Sequence, residues 1–177
     1  MLCAATAASL AVASCGSVRP GAAGRQAPAG CRALRVTLDV TAAGAAAGSL
    51  YLPIDFTNTS ARRCQLAGYP RVTFTRGPAG AQIGAAAAAD HATAPRQVTL
   101  APGGMAHAWL RVASAANFPP RECRPVTAAG LLITAPGQPS ASYLRHSLLA
   151  CARVPRGGQV LAVQPVAPGR GRRGTAQ

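Results

Sequence analysis

The central part of the chain alternates apolar and polar residues with a period of two. Residues 34–40 and 50–56 show this pattern most clearly. A period of two is typical of a β-strand with one buried face. Pro53 falls on the outward phase of its strand, and proline has no N–H to donate to a ladder. We therefore expect an exposed edge or a bulge at Pro53.

Shorter apolar runs separated by turn residues predict several further strands. They lie near residues 72–74, 98–100, 109–112, 131–134, 148–151 and 160–166. The Ala-rich residues 85–89 are expected to form a loop, because Gly84 precedes them and Pro95 follows. The pattern predicts an all-β fold: an immunoglobulin-like, two-sheet antiparallel sandwich of about seven or eight strands.

The first 14 residues have no charge and only small or apolar side chains. They are too short for a transmembrane helix, which needs about 20 residues, but they suit the apolar part of a signal peptide. The last three of these residues and the next one, Val12-Ala13-Ser14-Cys15, resemble the bacterial lipobox. That resemblance implies cleavage after Ser14 and a diacylglycerol, with palmitate-type acyl chains, on Cys15. Signal peptides open with a positive charge, so we also expect an N-terminal extension carrying Lys or Arg.

The number of cysteines agrees with this interpretation. Once Cys3 in the leader and the lipidated Cys15 are set aside, four remain: Cys31, Cys64, Cys123 and Cys151. Four cysteines suit two disulfides in an oxidising compartment. Three pairings are open, and we favour the sequential one because it closes two similar loops, each worth about 3 kcal/mol in the chain-entropy model. In the alternative, a secreted protein without lipid, Cys15 is a free thiol.

The composition divides the chain into four parts. Residues 1–14 are the predicted signal peptide, and residues 15–30 are a lipidated cysteine followed by a flexible tether rich in Gly, Ala and Pro. Residues 31–166 form the predicted β-sandwich domain. Residues 167–177 are basic and rich in Gly, which predicts a disordered tail.

The chain carries 18 Arg, no Lys and four acidic residues, for a formal net charge of +14. The Arg residues are scattered, and the richness in Ala, Gly and Pro points to a GC-rich genome as the cause of the bias. A nucleic-acid surface needs a basic stripe with stacking aromatic residues, and only seven aromatic residues exist. We therefore predict no nucleic-acid partner.

The titratable residues offer little for catalysis. The carboxylates are Asp39, Asp55, Asp90 and Glu122, and the histidines are His91, His107 and His146. Asp39 and Asp55 fall on outward strand positions, where pairing with Arg is the simplest expectation. No G-x-S-x-G motif is present. We predict no enzyme and no catalytic residue.

Metal binding has one weak signal. Met105 and His107 lie two residues apart on a predicted strand and so share a face with Trp109, and thioether with imidazole suits copper. Two ligands are too few unless His91 or His146 joins them. We therefore predict no metal site and no cofactor, with Met105 and His107 as the weak candidates.

Three stretches of sequence, together with the cysteines, resemble a known family. Residues 56–60 (FTNTS), residues 64–70 (CQLAGYP) and the turn at residues 100–104 (LAPGG) occur together with the cysteine framework. The chain resembles the exported actinobacterial family catalogued as domain of unknown function 4232. The resemblance implies a secreted or lipid-anchored protein with no established activity, so it supplies no catalytic residues.

The leading interpretation is therefore an exported cell-envelope lipoprotein, held by its lipid on the outer face of the cell membrane. Its domain is interpreted as a non-enzymatic module that binds a ligand or an envelope partner. Two other functions stay open: a cell-wall or small-molecule hydrolase, and a copper-handling envelope protein. A freely secreted protein is the alternative location.

Overall fold

A computed structural model describes residues 29–172 of the chain. The predicted signal peptide, Cys15 and most of the tether lie outside the described residues, as do residues 173–177. The described part is built from strands, with one four-residue α-helix, α1 (Pro120–Cys123), and two short 3₁₀ turns at Val40–Ala42 and Ala115–Asn117. The all-β prediction is confirmed.

The strands of the described residues form three sheets. A seven-stranded sheet contains β1 (Leu34–Leu38), β2 (Gly44–Ala46), β3 (Ser49–Asn58), β7 (Ala88–Ala89), β9 (Met105–Ala113), β12 (Leu161–Val163) and β13 (Ala167–Pro168). A four-stranded sheet contains β5 (Arg71–Thr75), β6 (Gln82–Ile83), β10 (Pro125–Thr134) and β11 (Ser142–Cys151). β4 (Cys64–Leu66) pairs with β8 (Val98–Leu100) as a separate ribbon.

One hydrophobic core joins the inner faces of the larger sheets. On β3 the inward residues are Leu52, Ile54 and Phe56, each at most 1 % exposed. They belong to the same buried cluster as Phe74 of β5 and Leu131 of β10. The alternation along these strands follows the predicted period of two, because each second side chain points into the core.

The prediction for Pro53 is wrong. Pro53 is buried, and β3 is an interior strand that lies between β1 and β9. The Pro53 carbonyl accepts a hydrogen bond from the N–H of Asp39, on the β1 side, 3.1 Å away. The missing N–H of Pro53 faces that same side, since a strand residue directs both groups to one neighbour. β1 ends at this point and the chain enters the 3₁₀ turn Val40–Ala42, so the absent donor costs no ladder bond.

Several short strands escape the sequence pattern. Ala88–Ala89, expected to be a loop, pairs with β12 in parallel, so the seven-stranded sheet is not wholly antiparallel. Two-residue and three-residue strands raise the total in the described part to thirteen, against the seven or eight predicted. Such strands show too little periodicity to be recognised before the fold places them beside a partner.

The two disulfides join Cys31 to Cys64 and Cys123 to Cys151, which is the sequential pairing. Cys31 and Cys64 belong to the main core, next to the ribbon of β4 and β8. Cys123 and Cys151 form a second small cluster with Ala115. Each disulfide therefore links a residue at one end of a strand, Cys64 of β4 or Cys151 of β11, to a second buried cysteine.

The sequence blocks that carry the family resemblance meet at Asn58. Its fully buried amide nitrogen donates to the carbonyls of Arg62, Leu100 and Ala101 at 2.8–3.3 Å. Its Oδ1 accepts from the backbone N–H of Ser60. Asn58 thus holds the end of β3, the following turn and the turn after β8 in one hydrogen-bonded knot. A side chain in this position is structural, as expected for turn chemistry.

Candidate functional site

The outer face of the seven-stranded sheet carries the polar residues that the sequence singled out. Cross-strand pairing sets Asp55 of β3 opposite His107 of β9, and Pro53 opposite Trp109. The rings of His107 and Trp109 meet edge to face with centroids 6.4 Å apart. All of these residues are buried, with Asp55 0 %, Trp109 3 % and His107 6 % exposed. This face is covered by the chain itself.

The cover is the C-terminal strap, which we define as residues 169–172. The strap leaves the sheet edge at Gly169, whose φ of +83° is a left-handed conformation that suits glycine. Gly169 donates its N–H to the carbonyl of Met105 at 2.9 Å. Gly171 then lies over the sheet, so close that an added Cβ would be 2.3 Å from the Cβ of Pro53. Residues 167–172 were predicted to be part of a disordered tail; in the structure they are ordered against β9 and β3.

The strap is held by the buried carboxylate of Asp55. Its Oδ1 accepts the N–H of Gly171 at 2.9 Å. Its Oδ2 lies 3.4 Å from Nε of Arg170, an ion pair without hydrogen-bond geometry. Nδ1 of His107 contacts the carbonyl of Gly169 at 3.1 Å. Because a carbonyl only accepts, Nδ1 is the donor in this contact.

The expectation that Asp39 and Asp55 both lie on solvent-facing strand positions is wrong. Asp55 is buried because the strap covers it. Asp39 ends β1 and caps the turn Val40–Ala42, accepting from the hydroxyl and N–H of Thr41. The hydrogen bond from the Thr41 hydroxyl lowers the pKa of Asp39 most. Burial opposes it, and the backbone N–H groups of Ala42 and Thr41 and the charge of Arg170 lower the pKa further. Arg170 forms the expected ion pair with Asp55, whereas on Asp39 it acts only through its charge.

Next to His107 and Trp109 lies a cavity of about 460 Å³, which we call the Trp109 pocket. One wall is the segment 93–99 and the other is the segment 164–168, which leads into the strap. Most of the lining is apolar, with neutral amides and hydroxyls and a single charged group, Arg96. A largely apolar cavity of this size with a few polar groups is the usual form of a small-molecule site.

Another cavity, which we call the second cavity, has a volume of about 520 Å³ and lies at the opposite end of β3 and β9. Its walls are residues 45–50, residues 112–115 and two leucines of β11, of which Leu149 is 51 % exposed. No charged residue lines it. It is a mainly apolar groove whose polar side chains are the hydroxyls of Ser49 and Ser114.

The structure places the candidate metal ligands apart. Met105 and His107 share the outer face of β9, as predicted. His91 instead packs against Tyr69, with its Nδ1 3.2 Å from the Tyr69 hydroxyl, and His146 is on β11 of the other sheet. Within residues 29–172 no group of three His, Cys, Asp or Glu residues is arranged to hold a metal.

The acid–base candidates are likewise distributed. Asp55 and His107 are cross-strand neighbours, but Gly171 covers them and Asp55 does not line the pocket. Asp90 accepts the N–H of Ala92 in an exposed turn. Glu122 is on α1 beside three arginines. None of these carboxylates shares a cavity with His107.

Sequence reasoning missed Arg96 and the strap. Arg96 sits among turn residues with no periodic pattern, so nothing along the chain marks it. One feature of the sequence could have indicated the strap. Asp55 lies in a strand of a basic protein, and a carboxylate that is buried there needs a cationic partner from elsewhere in the chain.

Among residues 29–172 no helix is long and apolar enough to cross a membrane. The predicted lipidation site, Cys15, lies outside the described residues, so the anchor stays a prediction.

Comparison with known proteins places the chain in one family. No curated protein and no solved structure matches it. The profile described as Domain of unknown function (DUF4232) matches residues 31–167, which covers both disulfides, the Asn58 knot and all of the Trp109 pocket lining except Pro168. The chain therefore belongs to the DUF4232 family, as its sequence blocks indicated.

Proposed function

We propose that the protein is an exported cell-envelope lipoprotein whose immunoglobulin-like sandwich is a non-enzymatic binding module, with its ligand site in the Trp109 pocket. The pocket carries the proposal, because its lining combines apolar walls with amide, hydroxyl and guanidinium groups, whereas no amide side chain and no charged group lines the cavity of about 520 Å³. Such a combination lets a site both bury a ligand and fix its orientation.

The absence of a catalytic role is part of the proposal. Asp55 of β3 and His107 of β9 form a carboxylate–imidazole pair that holds the strap. Asp55 accepts a hydrogen bond from the backbone N–H of Gly171, and His107 bonds to the carbonyl of Gly169. Side chains that make these hydrogen bonds stabilise the fold. A hydrolase would need such a pair open to substrate beside a nucleophile.

Location outside the cytoplasm is supported by the two disulfides, which persist in oxidising compartments. The lipobox resemblance at Cys15 supports an anchor. Intact mass of the protein extracted from membranes of its own cells tests both. Cleavage before Cys15 with an added acylglyceryl group is the expected result. An unlipidated chain found in the medium would overturn the anchor and leave a secreted protein.

The pocket is tested with a fragment library and two matched variants. Trp109 is the only tryptophan of the chain, so its indole N–H gives a single NMR signal that reports on the pocket. Ala94→Phe fills the Trp109 pocket from an exposed position, and Ala46→Phe does the same in the second cavity. We expect fragments that shift the indole signal, with binding lost in Ala94→Phe and kept in Ala46→Phe. Binding that survives Ala94→Phe would refute the pocket.

A further inference from the structure

The charge in the lining of the Trp109 pocket is only positive. Arg96 is the only charged residue that lines it, and no carboxylate does. Within residues 29–172 the Arg96 guanidinium makes no hydrogen bond and no ion pair. The carboxylate Asp90, nearby in sequence, is occupied by the N–H of Ala92 instead. A guanidinium left without an acidic partner beside an apolar cavity presents five donors to whatever enters.

The remaining polar groups of the pocket are less available. Gln97 donates its amide to the side chain of Gln65 at 2.7 Å, which fixes it against β4. His107 uses Nδ1 to hold the carbonyl of Gly169. Arg96 is therefore the charged group of the pocket whose donors are open. Guanidinium bonds to an anion are about twice as strong as neutral hydrogen bonds, so Arg96 favours a negatively charged ligand group.

The rest of the lining favours an apolar ligand body. Val98 and the run Pro165–Pro168 supply aliphatic and ring carbons, and Trp109 adds the edge of its indole. The buried strap anchor at Asp55 keeps that wall in place, because the strap continues directly from Pro168. A cavity of about 460 Å³ is large enough for a compact organic molecule but not for a folded partner.

We propose that the Trp109 pocket binds a small organic anion, with the anionic group on Arg96 and an apolar body between Val98 and the segment Pro165–Pro168. This inference rests on the proposed function and adds the chemical class of the ligand. The overall charge of +14 supports it, because an excess of arginine attracts anions to the protein before any contact forms.

The test compares two probes of the same shape, 3-phenylpropanoate and its neutral amide. Binding is followed by the emission of Trp109 and the NMR shift of its indole N–H. We expect the carboxylate to bind about tenfold more tightly than the amide, the ratio that one charge-assisted contact supports. Arg96→Gln should remove this preference by weakening the carboxylate about tenfold and leaving the amide unchanged.

The matched control is Arg71→Gln, which removes an exposed arginine from β5 of the other sheet. It should alter neither affinity, and an equal loss in both variants would show that net charge alone draws the anion and would overturn the role of Arg96. Equal binding of both probes by the native protein would refute the ligand class and leave the pocket proposal standing. Failure of both probes to move the Trp109 signals would refute the ligand class as well, and the fragment screen then decides the pocket by itself.

Discussion

The two faces of β9 are both buried at the middle of the strand, but by different means. On the inner face, Leu110 and Ala106 are 0 % exposed and pack into the core shared with the other sheet. On the outer face, Trp109 and His107 are 3 % and 6 % exposed, and the C-terminal strap and the walls of the Trp109 pocket cover them. The inner face depends on apolar area, whereas the outer face depends on a few directed hydrogen bonds. A polar residue on a strand therefore does not show that its face meets water.

The largest expected effect is on the inner face. Leu110→Ala should lower the free energy of unfolding by about 3 kcal/mol, because it leaves a cavity in a close-packed core. Chemical denaturation followed by circular dichroism measures the change. The whole domain should remain cooperative, since the core joins both sheets. A loss well under 1 kcal/mol would contradict the central place of this core.

Asp55→Ala should break the outer face with a smaller loss, about 2 kcal/mol, because it leaves the buried N–H of Gly171 without its acceptor. Hydrogen exchange distinguishes the two faces. Amides of residues 169–172 should exchange faster in this variant, while amides of β9 that bond to β3 keep their protection. Unchanged exchange in the strap would show that Asp55 does not hold it.

Two glycine variants distinguish the effect of a steric contact from the effect of backbone strain in the strap. Gly171→Ala should displace the strap, at a cost of about 1 kcal/mol, because the new methyl group meets Pro53 and the strap can lift away. Gly169→Ala has open space around its Cβ and a φ of +83°, so it should cost a similar amount through backbone strain alone. NMR contacts between residue 171 and Pro53 should vanish in the first variant and persist in the second. Loss in both would mean that the turn at Gly169, and not packing, seats the strap.

The smallest effect is expected at Arg170. Its side chain is 57 % exposed, so Arg170→Gln should cost only about 0.5 kcal/mol and the cost should shrink further in high salt. Thermal unfolding at low and high ionic strength checks this. A large loss of unfolding free energy that salt does not change would show that the ion pair, and not the Gly171 N–H, is the main support of the strap.

The alternation of residues was enough to predict the all-β class and the long strands, because burial of one face imposes a period of two. It was also enough to place Met105, His107 and Trp109 on one face. It was misleading for Pro53 and Asp55, whose positions outside the core face were read as exposure. Their burial comes from residues more than a hundred positions away, and strand periodicity contains no information about such a cover.

The Trp109 pocket was beyond sequence reasoning for a related reason. Its walls, residues 93–99 and 164–168, are about 65 positions apart in the chain and become neighbours only after β9 has paired with β12 and β13. The family blocks, in contrast, were readable because turn chemistry is local. Asn58 and the turn at residues 100–104 are recognisable from their residue types, although their meeting in one knot is a product of the fold.

The Asn58 knot has a consequence for how the protein is produced. Asn58-Thr59-Ser60 is an acceptor sequence for N-linked glycans, and the nitrogen to which the sugar would attach is the one that donates to three backbone carbonyls. A eukaryotic secretory host modifies such sequences on the emerging chain, before the knot closes. A glycan there would block the end of β3 from joining the turn after β8. Yeast or mammalian expression should therefore yield misfolded, glycosylated material, whereas export in bacteria should yield the native domain.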